Sequence, residues 1–339
     1  MLYELLRPLL FRLDPETAHH LALAAMQHLA WLGPLNPLRQ TVPASPRTVM
    51  GLEFPNPVGL AAGFDKNGDC LEGLAALGFG FIEIGTVTPH PQPGNPKPRL
   101  FRLPEQQALI NRMGFNNKGT DYLIAQVQKA RYDAVLGINI GKNLKTPVEG
   151  ALDDYRIGLR KVYSHADYVA INISSPNTPG LRNLQRAKNL EPLLAGLDVE
   201  RDKLAQEHGK RVPLAVKIAP DLAPEQLGPL TEMLVKHRID ALIATNTTLS
   251  RTGVEASPHA AEAGGLSGKP LFQESTAMVA ELSRILRGEI PIIACGGILA
   301  AEDAQAKFEA GASLVQIYSG FIYRGPALVR EIAKACRTH

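Results

Sequence analysis

Two runs decide the fold: Val135-Leu136-Gly137-Ile138-Asn139-Ile140 and, one helix-length further on, Tyr168-Val169-Ala170-Ile171-Asn172-Ile173. Each is a short apolar segment rich in Val, Ile and Ala, bounded by a polar or glycine-marked turn, with helical periodicity between them. The same unit recurs over residues 57–62, 81–85, 214–218, 241–245, 291–294 and 314–318. Eight strands alternating with helices predict a closed parallel sheet, a (β/α)8 TIM barrel. A doubly wound open sheet is the competing architecture. It would have fewer strands and a glycine fingerprint in its first turn, which Gly59 to Gly63 does not match.

Two longer pieces, residues 87–118 and 176–190, follow the second and fourth strands and read as insertions that wall or cover a site. Residues 1–45 stand outside the rhythm. Leu2, Leu5, Leu6, Leu9, Leu10 and Leu13 recur at helical spacing, Asp14-Pro15 punctuates, and residues 18–31 form a second apolar helix. This two-helix extension is either a plug over the bottom of the barrel or a pair resting on a membrane surface. The expected division is therefore an extension over 1–45 and a barrel over 46–339.

At 45% hydrophobic and 20% charged, the chain can bury a full core. A net charge of +3 without a basic stripe or aromatic interleaving excludes a nucleic-acid surface. Cys70, Cys295 and Cys336 are odd in number and far apart, which excludes a disulfide framework and a Cys-x-x-Cys metal site and fits a reducing compartment. No stretch reads as a transmembrane span, signal peptide or transit sequence, so the matches to the glycosylation pattern at Asn172 and Asn246 should carry no sugar.

In a barrel, polar residues at the strand C-termini share one rim. Here they are Gly63, Asp65 and Lys66, then Thr86, Asn139, Asn172, Lys217, Thr245 and Asn246. Lys217 interrupts an otherwise buried strand and calls for an anion. A Schiff-base lysine and a cation beside a reduced flavin are the two options. Glycine turns at Gly296-Gly297 and Ser319-Gly320, supported by residues 264–269, suit a phosphate cradle on the seventh and eighth loops and so favour a phosphate-bearing cofactor. The run from Asn172 through Ser174, Ser175 and Asn177 to Arg182 sets hydroxyls among amides. It is either a capped turn or a grip for the alternating C=O and N–H groups of a small polar ring.

Residues 61–66 (AAGFDK), 83–89 (EIGTVTP), 111–117 (NRMGFNN), 172–182, 244–248 (ATNTT), 264–268 (GGLSG) and 316–320 (QIYSG), in this order, resemble dihydroorotate dehydrogenases of class 2, the quinone-linked, membrane-associated form. The resemblance spans essentially the whole chain. It implies oxidation of (S)-dihydroorotate to orotate in pyrimidine biosynthesis, with FMN as hydride acceptor and a membrane quinone as final acceptor. FMN would be held by Ala62, Gly63, Lys66, Thr86, Asn139, Asn172, Lys217 and Thr245, with its phosphate at Gly268, Gly297, Tyr318 and Ser319. Substrate would be held by Lys66, Asn111, Arg112, Met113, Gly114, Phe115, Asn172, Asn177, Asn246 and Thr247. Ser175 would be the base, where class 1 relatives carry cysteine. His19, Arg102 and Tyr318 match positions used near the quinone head.

The resemblance further implies a peripheral monomer on the cytoplasmic face of a bacterial membrane, attached through the N-terminal helices and binding no metal. A barrel dehydrogenase using a soluble acceptor and an inactive membrane-resting scaffold are the alternatives. A tRNA dihydrouridine synthase, also an FMN barrel, is disfavoured because no basic RNA-binding domain follows the eighth strand.

Overall fold

The computed structural model describes residues 2–336. Eight parallel strands close into a barrel in chain order: Val58–Leu60, Phe81–Val87, Val135–Ile140, Tyr168–Asn172, Leu214–Ile218, Ala241–Ala244, Ile292–Cys295 and Leu314–Ile317. Each of the eight expected segments contains a strand, and every residue of the eight strands is buried. Continuous burial is why they read as apolar runs, since helices cover the outside and side chains fill the inside. The register places Asn172 beside Lys217 and Gly85 beside Asn139, which brings the rim residues level with one another.

The N-terminal end of the barrel is closed by a hairpin that the sequence reading did not foresee. Strands Arg47–Val49 and Leu52–Phe54 pair antiparallel across Met50-Gly51, both at positive φ (57° and 74°), the conformation that matches strand twist in a two-residue hairpin. Phe54 is fully buried and meets the Phe81 ring edge-on at 5.2 Å, within an inner cluster that includes Val135, Tyr168 and Leu314.

Two stretches expected to be loops carry strands. Within the 87–118 insertion, Leu100–Leu103 pairs with Ala108–Asn111, and the latter pairs in turn with Gly265–Gly268, part of the glycine-rich piece expected to be a loop. This three-stranded antiparallel sheet forms one wall above the C-terminal rim.

The N-terminal helices, Leu2–Leu10 and Pro15–Ala30, pack at that same C-terminal end. They do not plug the barrel bottom, because the hairpin already occupies it. Asp14 caps the second helix by accepting from the Thr17 N–H at 2.9 Å, and Pro15 takes the first helical turn, where its missing N–H costs nothing. The docking is specific. Glu16 and Arg99, both buried, form a two-point ion pair at 2.6 and 3.1 Å. Arg102 donates to the Phe11 and Leu13 carbonyls at 3.0 Å, and Arg7 donates to the Tyr323 carbonyl at 2.7 Å. The outward face is greasy: Leu5, Leu9, Leu21, Trp31 and Leu35 are all more than half exposed.

Candidate active site

One cavity runs from the barrel rim to the N-terminal helices, enclosing about 1650 Å³ that is partly open to solvent. Its wall contains Ala62, Gly63, Lys66, Thr86, Asn172, Lys217, Thr245, Asn246 and Thr247 from the strand ends. It also contains Asn111, Met113, Gly114 and Phe115 from the insertion, and Ser175 and Asn177 from the fourth loop. Gly268, Gly297, Tyr318 and Ser319 line the far side, and His19 and Arg102 lie on the helix side. Two expected residues do not reach the wall. Asn139 sits beneath it, and the Arg112 guanidinium is drawn aside to Glu262 at 2.6 Å and over the Phe101 ring at 4.7 Å.

The floor is held by a continuous hydrogen-bond chain. Glu83, fully buried in the barrel, accepts from Asn139 Nδ2 at 2.8 Å, Tyr168 Oη at 2.8 Å and Gln316 Nε2 at 2.7 Å. Asn139 Oδ1 accepts from Thr86 Oγ1 at 2.6 Å, and Thr86 Oγ1 accepts from Asn172 Nδ2 at 2.9 Å. Asn172 Oδ1 accepts from Ser174 Oγ at 3.2 Å, and Asn246 Nδ2 donates to that serine at 3.0 Å. Each amide is thereby fixed in orientation, and Glu83 is the acceptor on which the chain ends. Burial and the neighbouring Glu83 keep the Tyr168 phenol far above its ordinary pKa, so it remains a donor. Glu83→Gln would replace an acceptor-only group with one carrying two donors that face three donors. We expect it to cost about 1–3 kcal/mol, read from chemical denaturation, because a buried donor is left unmatched.

Lys217 is buried and makes no hydrogen bond or ion pair with any other described residue. It shares the cavity wall with Cys295, whose thiol is pushed up by burial and so stays protonated. Lys66 donates to the Gly63 carbonyl at 2.7 Å, and its low-polarity surroundings bring the ammonium down to about 8. Ser175 is buried, and its Oγ accepts only the Asn177 N–H, at 3.3 Å. Two buried hydroxyls, Thr178 Oγ1 and Thr247 Oγ1, have no hydrogen-bond partner among the described residues. Asn177 Nδ2 reaches Asn111 Oδ1 at 3.2 Å, which ties the fourth loop to the insertion.

Arg182, at the end of the polar run and without an expected role, clamps this site from behind. Its guanidinium donates to the Ser174 carbonyl at 3.0 Å, the Thr247 carbonyl at 2.7 Å and Asp221 at 2.7 Å. An arginine closing a polar run was the available signal, since five planar donors can join several loop carbonyls at once. On the helix side, His19 meets Phe64 edge-on at 5.0 Å. Burial, with Lys66 and His20 adding to it, lowers its pKa to about 3, so the imidazole is neutral. Tyr318 Oη lies 3.3 Å from the Gly63 carbonyl, and burial raises the phenol to about 12.

The family model described as dihydroorotate dehydrogenase matches residues 46–338. The chain belongs to the dihydroorotate dehydrogenase family. Within that family it falls in class 2. A protein of Methylococcus capsulatus named dihydroorotate dehydrogenase (quinone) is 67% identical over 335 residues, 98% of either chain. One of the same name from Nitrosospira multiformis is 60% identical over 334 residues, covering 98% of this chain and 95% of that one. Among solved structures, the crystal structure of the Eimeria tenella enzyme in complex with ferulenol has a TM-score of 0.87 at 41% identity. That match covers 95% of this chain and 90% of that chain. Membership of this family implies a flavin and a quinone as redox partners.

The donor set fits a flavin bearing a phosphate. An unpaired ammonium, Lys217, faces a cavity large enough for a fused ring, and small residues cluster where a phosphate would sit. Gly297, at φ +75°, rests directly on Phe272: a Cβ there would fall 2.3 Å from the Phe272 Cα. Helix Phe272–Leu286 begins at that contact, so the positive end of its dipole lies beside the glycine turn.

Proposed function

We propose that the chain oxidises (S)-dihydroorotate to orotate with bound FMN and a membrane quinone as acceptors, a step of pyrimidine biosynthesis. The observation that carries this reading is convergence. A hydroxyl base, an unpaired buried cation and a set of oriented amides share one cavity, and that cavity continues without a break to two greasy helices.

When bound, FMN supplies a hydride acceptor that afterwards gives up two electrons to the quinone. Ala62, Gly63, Lys66, Thr86, Asn139, Asn172, Lys217 and Thr245 would hold its ring, Asn139 acting through Thr86. Gly268, Gly297, Tyr318 and Ser319 would hold the phosphate. Asn111, Asn172, Asn177 and Asn246, with Thr247, present both donors and acceptors to the ring of the substrate, and Lys66 meets its carboxylate. Met113, Gly114 and Phe115 close the site from the insertion side, while Arg112 braces that loop through Glu262. Ser175 Oγ takes the proton from C5 as hydride leaves C6, and it passes its own proton towards Thr178 and water. The unpartnered Thr178 hydroxyl is a fitting recipient. Enclosure matters here, because a serine hydroxyl is a weak base in water.

Residues 1–45 act as a quinone-access extension and residues 46–339 as the catalytic barrel. His19, Arg102 and Tyr318 would offer polar contacts to the quinone carbonyls. The working unit would be a monomer. It would lie peripherally on the cytoplasmic face of a bacterial membrane through Leu5, Leu9, Trp31 and Leu35. Among the described residues no helix is long and apolar enough to cross a bilayer.

A steady-state assay with dihydroorotate and, in turn, a ubiquinone analogue, fumarate and NAD tests the acceptor. Turnover with quinone and none with the other two is expected; turnover with fumarate or NAD alone would replace quinone by a soluble acceptor. Lys217→Ala, which removes the cation nearest a ring that becomes negative on reduction, should lower the flavin potential or weaken flavin binding. Spectroelectrochemistry reads the first effect and flavin content the second. Borohydride trapping of a carbonyl compound on Lys217 would favour the Schiff-base role instead.

A further inference from the structure

Outside the residues already given a role, the group least at home in its surroundings is Lys307. It lies on helix Ala301–Glu309, has no exposed surface, and forms no ion pair with any other described residue. Its Nζ donates to Ser275 Oγ at 2.6 Å, Thr276 Oγ1 at 2.7 Å and the Phe272 carbonyl at 3.3 Å. Three donors are thus spent on three neutral acceptors, which suits an ammonium; a neutral amine has only two. Burial lowers this ammonium to about 7. Cys295 and Asp303 are the other titratable groups that act on it. The Cys295 thiol is buried and protonated, and Asp303 is taken up by the Leu299 and Ala300 N–H groups at 2.8 and 2.9 Å.

A buried cation at the first turn of a helix is doubly disfavoured, because that end of the helix is itself positive. All three acceptors belong to the first turns of helix Phe272–Leu286. The Phe272 ring, its centroid 5.0 Å from Nζ, offsets part of that cost, and an anion just beyond that turn would offset the rest. The connections lead there. Gly297 rests on Phe272, the residue whose carbonyl Lys307 holds, and the single Ser275 hydroxyl proton is shared among the carbonyls of Leu271 at 2.8 Å, Gly296 at 3.0 Å and Phe272 at 3.1 Å. Lys307 therefore braces both residues of the glycine turn from the side opposite the cavity.

We propose that Lys307 is a positioning cation for the phosphate end of the cofactor site, fixing the Gly296-Gly297 turn through Ser275 and Phe272 and balancing phosphate charge without touching it. The inference rests on the FMN reading above and adds a residue to it. It also implies that the chain discriminates FMN from riboflavin, which has the same ring and no phosphate, partly through this lysine.

The test is flavin binding by the full-length protein, stripped of flavin and titrated with FMN and with riboflavin, for the parent and for Lys307→Met. FMN affinity should fall about 10- to 100-fold in the variant, the range for removing a charged donor that holds the turn in place. Riboflavin affinity should change by less than about 3-fold, because riboflavin has no group at the glycine turn and sites without shared partners act nearly independently. Equal loss for both flavins would make Lys307 a packing residue, and an unchanged FMN-to-riboflavin ratio would likewise overturn the proposal. If Lys307→Met does not fold, Ser275→Ala takes its place. It cuts the relay to Gly296 and leaves the charge, so an FMN-selective loss supports the proposal and an unchanged ratio overturns it. A parent protein that binds neither flavin would overturn the FMN reading itself, a result distinct from a parent that binds FMN and a variant that does so equally well.

Discussion

Ser175→Ala slows flavin reduction by dihydroorotate about 10²- to 10⁴-fold, the usual contribution of a positioned general base, while flavin content and orotate affinity stay close to those of the parent. The expectation follows from the geometry. Ser175 lies in the cavity wall, the only hydrogen bond its hydroxyl makes among the described residues is a long one from the Asn177 N–H, and none of the residues that orient the floor depends on it. Removing the hydroxyl therefore takes away the proton acceptor and little else. Stopped-flow absorbance under anaerobic conditions measures the step directly. A variant that reduces flavin at the parental rate would take Ser175 out of the mechanism. Ser175→Cys should keep part of the activity with a shifted pH profile, because a thiol ionises far more readily than a hydroxyl.

The second large effect belongs to the N-terminal helices. Deleting residues 1–45 outright would also break the Glu16–Arg99 pair and uncover the cavity wall those helices supply, so it would confound membrane binding with the integrity of the site. The surface quadruple substitution Leu5→Ser, Leu9→Ser, Trp31→Ser and Leu35→Ser avoids that, since all four side chains are more than half exposed. Each apolar side chain withdrawn from lipid forfeits up to about 1.5–3 kcal/mol, so vesicle binding should fall by roughly 10²-fold or more. Reoxidation by a long-chain quinone in vesicles should slow accordingly. Flavin reduction by dihydroorotate and reoxidation by a short, water-soluble quinone should not change. Equal loss of both half-reactions would make the helices structural cover and place the quinone entrance elsewhere.

The barrel was legible because its strands are buried on both faces, and such strands stand out as apolar runs whatever their neighbours. The site was legible for a related reason: polar residues at the ends of apolar strands have few structural uses, and Lys217 has none that the fold supplies. What escaped the reading depends on contacts far apart in the chain. The amphipathic pattern of residues 2–30 marks a buried face without saying what covers it. Only the pairing of Glu16 with Arg99, 83 residues away, sets the helices on the cavity side. Gly265–Gly268 reads as a loop because glycine has little strand propensity, and it becomes a strand because Ala108–Asn111 offers an edge to pair with. Arg112 belongs to a run otherwise aimed at the cavity, but Glu262 and Phe101 draw its side chain away. Lys307, on a surface-like helix, reads as solvated until Phe272, Ser275 and Thr276 are seen to enclose it.

The central claim, that this cavity oxidises dihydroorotate at a bound flavin and returns the electrons to quinone, is tested most directly by the colour of the protein itself. Purified full-length protein should be yellow, with about one FMN per chain expected from one cavity of this kind. Under anaerobic conditions one equivalent of dihydroorotate should bleach it and yield one equivalent of orotate, and a ubiquinone analogue should restore the colour. A colourless protein, or a yellow one whose absorption dihydroorotate leaves unchanged, would contradict the account.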